Sequence, residues 1–96
     1  MSKTFNDLKF KTHPVTKNGI HASLELKPNV FISVVAGEGF YSGGKNGVRG
    51  PVTKLEEATT FEVAIIDENE PDEFQEWQVN GWQSRDDINK LMVENG

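Results

Sequence analysis

The sequence predicts an α+β fold: a single small domain with a curved, mainly antiparallel sheet of about five strands and one C-terminal helix packed on it. Three observations lead there. Alternating apolar residues recur in short runs as far as Val79. Helical spacing occurs only after Ser84. The 96 residues hold one modest core and no second one, so residues 1–96 are read as one domain.

The first unit is a hairpin, with strands near 7–13 and 20–27. Ile20, Ala22, Leu24 and Leu26 alternate with His21, Ser23, Glu25 and Lys27. Before them Leu8, Phe10 and Thr12 alternate with Lys9, Lys11 and His13. Asn18-Gly19 lies between, a strong hairpin signal. A two-residue loop there would pair Lys11 with Leu26 and send the apolar sets to opposite faces. A three-residue loop, Lys17-Asn18-Gly19, pairs Thr12 with Leu24 and Phe10 with Leu26 and keeps them on one face; it is the register expected. Pro14 cannot donate to a ladder, so this strand lies at an edge or ends there.

Pro28-Asn29 breaks the chain, and a third strand follows near 30–36. Val30, Ile32 and Val34 point one way, Phe31 and Val35 the other. The fourth strand, near 59–66, repeats this with Phe61, Val63 and Ile65 against Ala64 and Ile66. Strands apolar on both sides are central and covered on both faces. A weaker fifth strand is expected near 74–79, with Trp77 and Val79 on one side, before an Asn80-Gly81 turn. The helix is expected near 85–94, capped by Ser84 with Asp87 three residues on. Ile88, Leu91 and Met92 form its apolar stripe. One helix covers one face of a sheet, so the second apolar face requires the sheet to curl or a second copy to cover it. A homodimer is therefore expected.

Charge is divided unevenly along the chain. Up to Lys54 there are eight basic and three acidic residues; from Leu55 on there are twelve acidic and two basic, giving +5 and −10 for a net −5. A dipolar small protein suits a charged partner or a copy of itself. The net charge and the pI of 4.9 argue against nucleic acid as a direct partner. With no cysteine, disulfides, thiolate metal sites and cysteine nucleophiles are excluded. The start Met1-Ser2-Lys3-Thr4 has no apolar stretch, and apolar runs such as Val34-Val35-Ala36 are far too short to span a membrane. No signal peptide, no membrane segment and a cytoplasmic location are expected.

The Gly-rich loop 37–51 matches seven positions of a phosphate-binding G-x-x-x-x-G-K motif between Gly39 and Lys45. Asn46 stands where the magnesium-binding hydroxyl belongs, and Gly47 to Pro51 cannot open the required helix, so the motif is rejected. Two readings of the loop stay open. It is a long mobile connection, or its backbone N–H groups with Tyr41, Lys45 and Arg49 hold an anionic or nucleotide-like ligand.

Asp67, Glu68, Glu70, Asp72, Glu73 and Glu76 form the densest charge cluster. Pro71 and Asp72 break the calcium-loop pattern. The run reads either as a solvated loop or as a negative patch facing a basic surface, in the manner of phosphate mimicry. His13 and His21 flank a turn and come near each other, in a pair expected to be inert; no metal and no cofactor is expected. No pair of carboxylates is singled out for acid–base work, and neither histidine has a motif-borne serine, so no enzyme activity is expected. Trp77 reads as sealing the strand–helix junction, and Trp82 reads as such a seal or as an exposed interface anchor.

These features favour a non-enzymatic acidic protein binding a partner with a basic surface through the acidic cluster and Trp82. The composition gives an impression of the accessory inhibitors that bacteriophages encode against host or nucleic-acid-handling proteins, acting in the host cytoplasm. The alternatives are a small-ligand binder using the Gly-rich loop, and a structural subunit of a homo-oligomer.

Overall fold

The computed structural model describes residues 3–15, 18–44, 47–68 and 78–96. Five strands, β1 (Lys11–Thr12), β2 (Gly19–Lys27), β3 (Val30–Gly37), β4 (Phe61–Asp67) and β5 (Gln78–Gln83), form one antiparallel sheet in the order β1-β2-β3-β4-β5. Helix α1 (Arg85–Asn95) closes the chain. The α+β class and the five-stranded antiparallel sheet are those expected from the sequence.

Alternation explains the sheet. On one face Ile20, Ala22 and Leu26 of β2 meet Ile32, Val34 and Ala36 of β3 and Phe61 and Val63 of β4, all buried. Ile88 and Met92 of α1 lie on this face, and Leu91 packs beside them. The helix starts where the sequence places it. Ser84 Oγ accepts from the Asp87 N–H at 3.1 Å, and the Ser84 N–H donates to Asp87 Oδ2 at 3.0 Å.

Two connecting segments complete the core where strand periodicity gives no signal. A 3-10 turn, Phe5–Asp7, buries Phe5, whose ring lies 5.6 Å from Phe10 and 5.3 Å from Phe61. The Phe5 N–H donates to Asn89 Oδ1 on α1 at 2.7 Å. The Arg85 guanidinium lies 5.3 Å from each of the Phe5 and Phe61 rings. A second 3-10 turn, Leu55–Glu57, is flanked by buried Val52 and Ala58. Phe10 also meets Phe61, at 5.7 Å, so the sheet curls until the region before β1 approaches β4.

Three details differ from the sequence reading. The first strand is two residues long, and Thr12 pairs with Ile20 rather than Leu24. Side-chain parity is kept, so the apolar faces fall as expected while the connection lengthens. Pro14 stops the ladder, and Asn18 and Gly19 are engaged elsewhere. The Asn18 carbonyl accepts from Glu38 N–H (3.2 Å) and Val52 N–H (2.9 Å), while Gly19 pairs with Gly37 inside β2 and β3. A Cβ at Gly37, whose φ is +141°, would stand 2.5 Å from the Asn18 carbonyl oxygen and from Gly19 Cα. Next, β5 runs over Gln78–Gln83. Asn80 and Gly81 lie within it, where the sequence reading puts a turn; residues 74–77 of the expected strand lie outside the described residues. Third, β4 starts at Phe61, because Thr59 and Thr60 bond the Gly-rich loop instead.

Candidate functional site

The face of the sheet opposite α1 carries the second apolar set. Phe31, Ser33 and Val35 of β3 stand across from Ile66, Ala64 and Glu62 of β4, and Val79 of β5 stands across from Ala64. All are half-buried except Val79, which is 53% exposed. β2 adds His21, Ser23 and Glu25 on the same side. A shallow depression of about 210 Å³ opens here among Ser33, Val35, Phe40, Glu62, Ala64 and Val79.

The Gly-rich segment after β3 frames one end of this face. Its ordering is visible in its bonds. Ser42 is fully buried, and its hydroxyl accepts the Gly37 N–H at 3.0 Å. Gly43 N–H donates to Thr60 Oγ1 at 2.7 Å, Gly44 N–H to the Val48 carbonyl at 2.7 Å, and Gly47 N–H to the Gly44 carbonyl at 2.9 Å. A Cβ at Gly43 would stand 2.5 Å from Thr59 Oγ1. Phe40 thereby comes 5.2 Å from the His13 ring, which lies 5.6 Å from His21. His13 Nδ1 accepts the Val15 N–H at 3.1 Å. Sequence reading brings the two histidines together but misses Phe40, because no periodicity places a loop residue.

Trp82 sits where this segment crosses β5. Phe61 pairs with Gln83 and Val63 with Asn80, so Gly81 and Trp82 together oppose Glu62 in a β-bulge. Trp82 takes φ +56°, a left-handed conformation costly for a bulky residue, and is 48% exposed. Two contacts enforce it. The Trp82 N–H donates to the Tyr41 carbonyl at 2.8 Å. Gly81 lies so close to Tyr41 that a Cβ there would stand 2.6 Å from Tyr41 Cβ.

The other nominated residues that the structure describes are spread out. Tyr41 and Arg49 are exposed and adjacent, with the guanidinium 5.1 Å from the ring. Lys45 lies outside the described residues, and the Gly43, Gly44 and Gly47 N–H groups are taken up within the fold, as their bonds show. Asp67 ends β4, paired with Val30, and the exposed Glu68 donates its N–H to the Asn29 carbonyl at 2.8 Å. Glu70, Asp72, Glu73, Glu76 and Trp77 lie outside the described residues. Trp82 and Asp67 are five residues apart in the frame of β4, roughly 17 Å at the usual strand rise. The two do not form one tight patch.

Two carboxyls are held below their usual range, and both brace turns. Glu57 is lowered by hydrogen bonds from the Thr53 hydroxyl and from the Thr53 and Lys54 N–H groups. Asp87 is lowered by the Ser84 backbone and hydroxyl at the helix cap. Neither faces the apolar depression. Among the described residues no three His, Asp or Glu side chains group as metal ligands, and no helix is long and apolar enough to cross a membrane. Comparison with protein-family models, with curated proteins and with solved structures gave no match for this chain.

Proposed function

We propose that this chain is a non-enzymatic binding protein whose contact surface is the helix-free face of its sheet. One observation carries the reading: Phe31, Val35, Ala64, Ile66 and Val79 gather, with Ser33 and Glu62 among them, on the side away from α1. Trp82 lies in the bulge across from Glu62, exposed and with a costly backbone conformation, and we take it as an anchor for the partner. Glu25 and Glu62 lie on the same face, and Glu68 follows β4. These carboxylates suit a partner with an apolar contact ringed by basic side chains. A nucleic-acid-handling protein offers such a surface, and inhibition by covering it is the role we propose.

The test is native mass spectrometry of the gently purified chain beside Val79→Lys and Trp82→Ala variants. A partner protein should be retained by the parent and lost from both variants, with the thermal unfolding of Val79→Lys unchanged. Retention by both variants would remove the helix-free face as the site. A bare dimer that the variants dissociate would assign the same face to a second copy, the homo-oligomer reading. A retained small molecule would instead favour Tyr41 and Arg49.

A further inference from the structure

A second surface, independent of the helix-free face, lies at the β1 edge of the sheet. The His13 N–H donates to the Gly19 carbonyl at 2.8 Å, and Lys11 pairs with His21. Alternation along an antiparallel ladder then turns the backbone groups of Lys11 and His13 toward β2 and those of Phe10 and Thr12 away from it. Among the described residues no strand follows β1 on its outer side, and no partner takes those outward groups.

The edge faces a groove of about 490 Å³, walled on the far side by Thr53 to Leu55. Its floor includes the apolar Phe10 and Leu55, while Lys9, Lys11 and Lys54 stand along it and, among the described residues, no carboxylate lines it. Glu57, on the same turn as Leu55, is occupied by the Thr53 and Lys54 N–H groups. In a chain of net charge −5, this is a local concentration of positive charge beside an open strand edge.

We propose that this groove binds an extended acidic segment of a partner protein by strand addition to β1. The outward N–H and C=O groups of Phe10 and Thr12 would supply the ladder, the three lysines would pair with carboxylates on the incoming strand, and alternate apolar side chains would meet Phe10 and Leu55. Lysines on an edge also deter a second copy's equally basic β1 from pairing there. The same charges that block self-pairing select an acidic strand.

The probe is a fluorescein-labelled peptide of alternating Glu and Val, followed by fluorescence anisotropy against the full chain. A Lys-Val peptide of equal length is the control. The Glu-Val peptide should bind, and binding should weaken as salt rises. The triple variant Lys9→Gln, Lys11→Gln, Lys54→Gln should bind about tenfold more weakly or less. Thr12→Pro removes one outward N–H without touching the β2 ladder, a change tolerated on edge strands, and should weaken binding comparably. In the parent chain, peptide saturation should slow amide hydrogen exchange at Thr12, a readout that does not depend on any variant folding. Equal binding of both peptides, full binding by the triple variant, or unchanged exchange at Thr12 would each overturn the proposal. Loss in the triple variant with full binding by Thr12→Pro would reduce the groove to charge attraction and overturn strand addition.

Discussion

The two faces of this sheet are built from the same strands and nearly the same residue types, yet they end in different states. Ile32, Val34, Phe61 and Val63 are fully buried on the helix side. Their neighbours Phe31, Val35, Ala64 and Ile66 are only half-buried on the other. Composition does not make the difference; coverage does. Helix α1, the Phe5–Asp7 turn and the Val52–Ala58 segment all pack on one side. Full burial of a Val, Ile or Phe side chain is worth about 1.5–3 kcal/mol over exposure, so part of that free energy remains available on the open face for a partner.

Truncation should separate the faces most sharply. Phe61→Ala removes the ring that Phe5, Phe10 and Arg85 all contact, and should cost about 3–5 kcal/mol in urea unfolding. Phe31→Ala on the open face should cost less than half as much. Equal losses would mean that Phe31 is covered in the free protein and that the open face is not a binding surface.

Trp82 breaks the pattern of the open face, because there exposure is combined with strain. Replacing it by Gly removes the penalty of a bulky side chain at φ +56° and should hold or raise stability by about 1 kcal/mol while abolishing partner retention. Trp82→Val should lower stability, since a β-branched residue tolerates that conformation least. A large loss in Trp82→Gly would show the indole to be a structural seal, the other reading of this residue.

The strands were legible because alternation is a local property. Ile20 to Leu26 and Val30 to Ala36 announce their faces without reference to the rest of the chain. The apolar surplus of Phe31, Val35 and Ile66 was equally visible, but it reads as a face covered like the other, and in the structure that face is only half-buried because α1 lies on the opposite side. What was not legible depends on contacts between distant segments. The Asn80-Gly81 pair reads locally as a turn, but Tyr41 presses on Gly81 and converts it to a bulge. Asn18-Gly19 reads as a tight hairpin, but Gly37, Glu38 and Val52 occupy it. Phe5 and Val52 join the core from segments with no period, so no periodic signal nominates them.

Two hydrogen-bonded carboxyls beside the helix side should add an acid dependence to stability. Asp87 and Glu57 are both held below their ordinary values of 3.8 and 4.5, by cap and turn hydrogen bonds made to the ionised form. A carboxyl lowered on folding stabilises the protein above its unfolded pKa, and that contribution is lost as pH falls through the folded value. Stability should therefore be flat from neutrality down to about pH 4.5 as far as these two groups are concerned, then fall. Ser84→Ala removes the hydroxyl that caps α1, costs about 1 kcal/mol at pH 7, and should reduce the acid dependence assigned to Asp87. An acid profile identical to the parent would detach Asp87 from that dependence.

The smallest expected effect is the most discriminating for function. Val79 stands on the helix-free face, 53% exposed, across from Ala64. Val79→Lys sets a charge beside Glu62 at the margin of the depression, and solvent already reaches the position, so unfolding free energy should move by no more than about 0.5 kcal/mol. A face shaped only by intramolecular packing would give a change of similar size in every property. A face shaped to meet a partner gives an unchanged midpoint with partner retention lost, because a lysine there meets the basic ring of the incoming surface and leaves a charge facing its apolar centre. If the unfolding free energy instead drops by more than about 1 kcal/mol, Val79 is packed in the free protein and the two faces are less different than their exposures indicate.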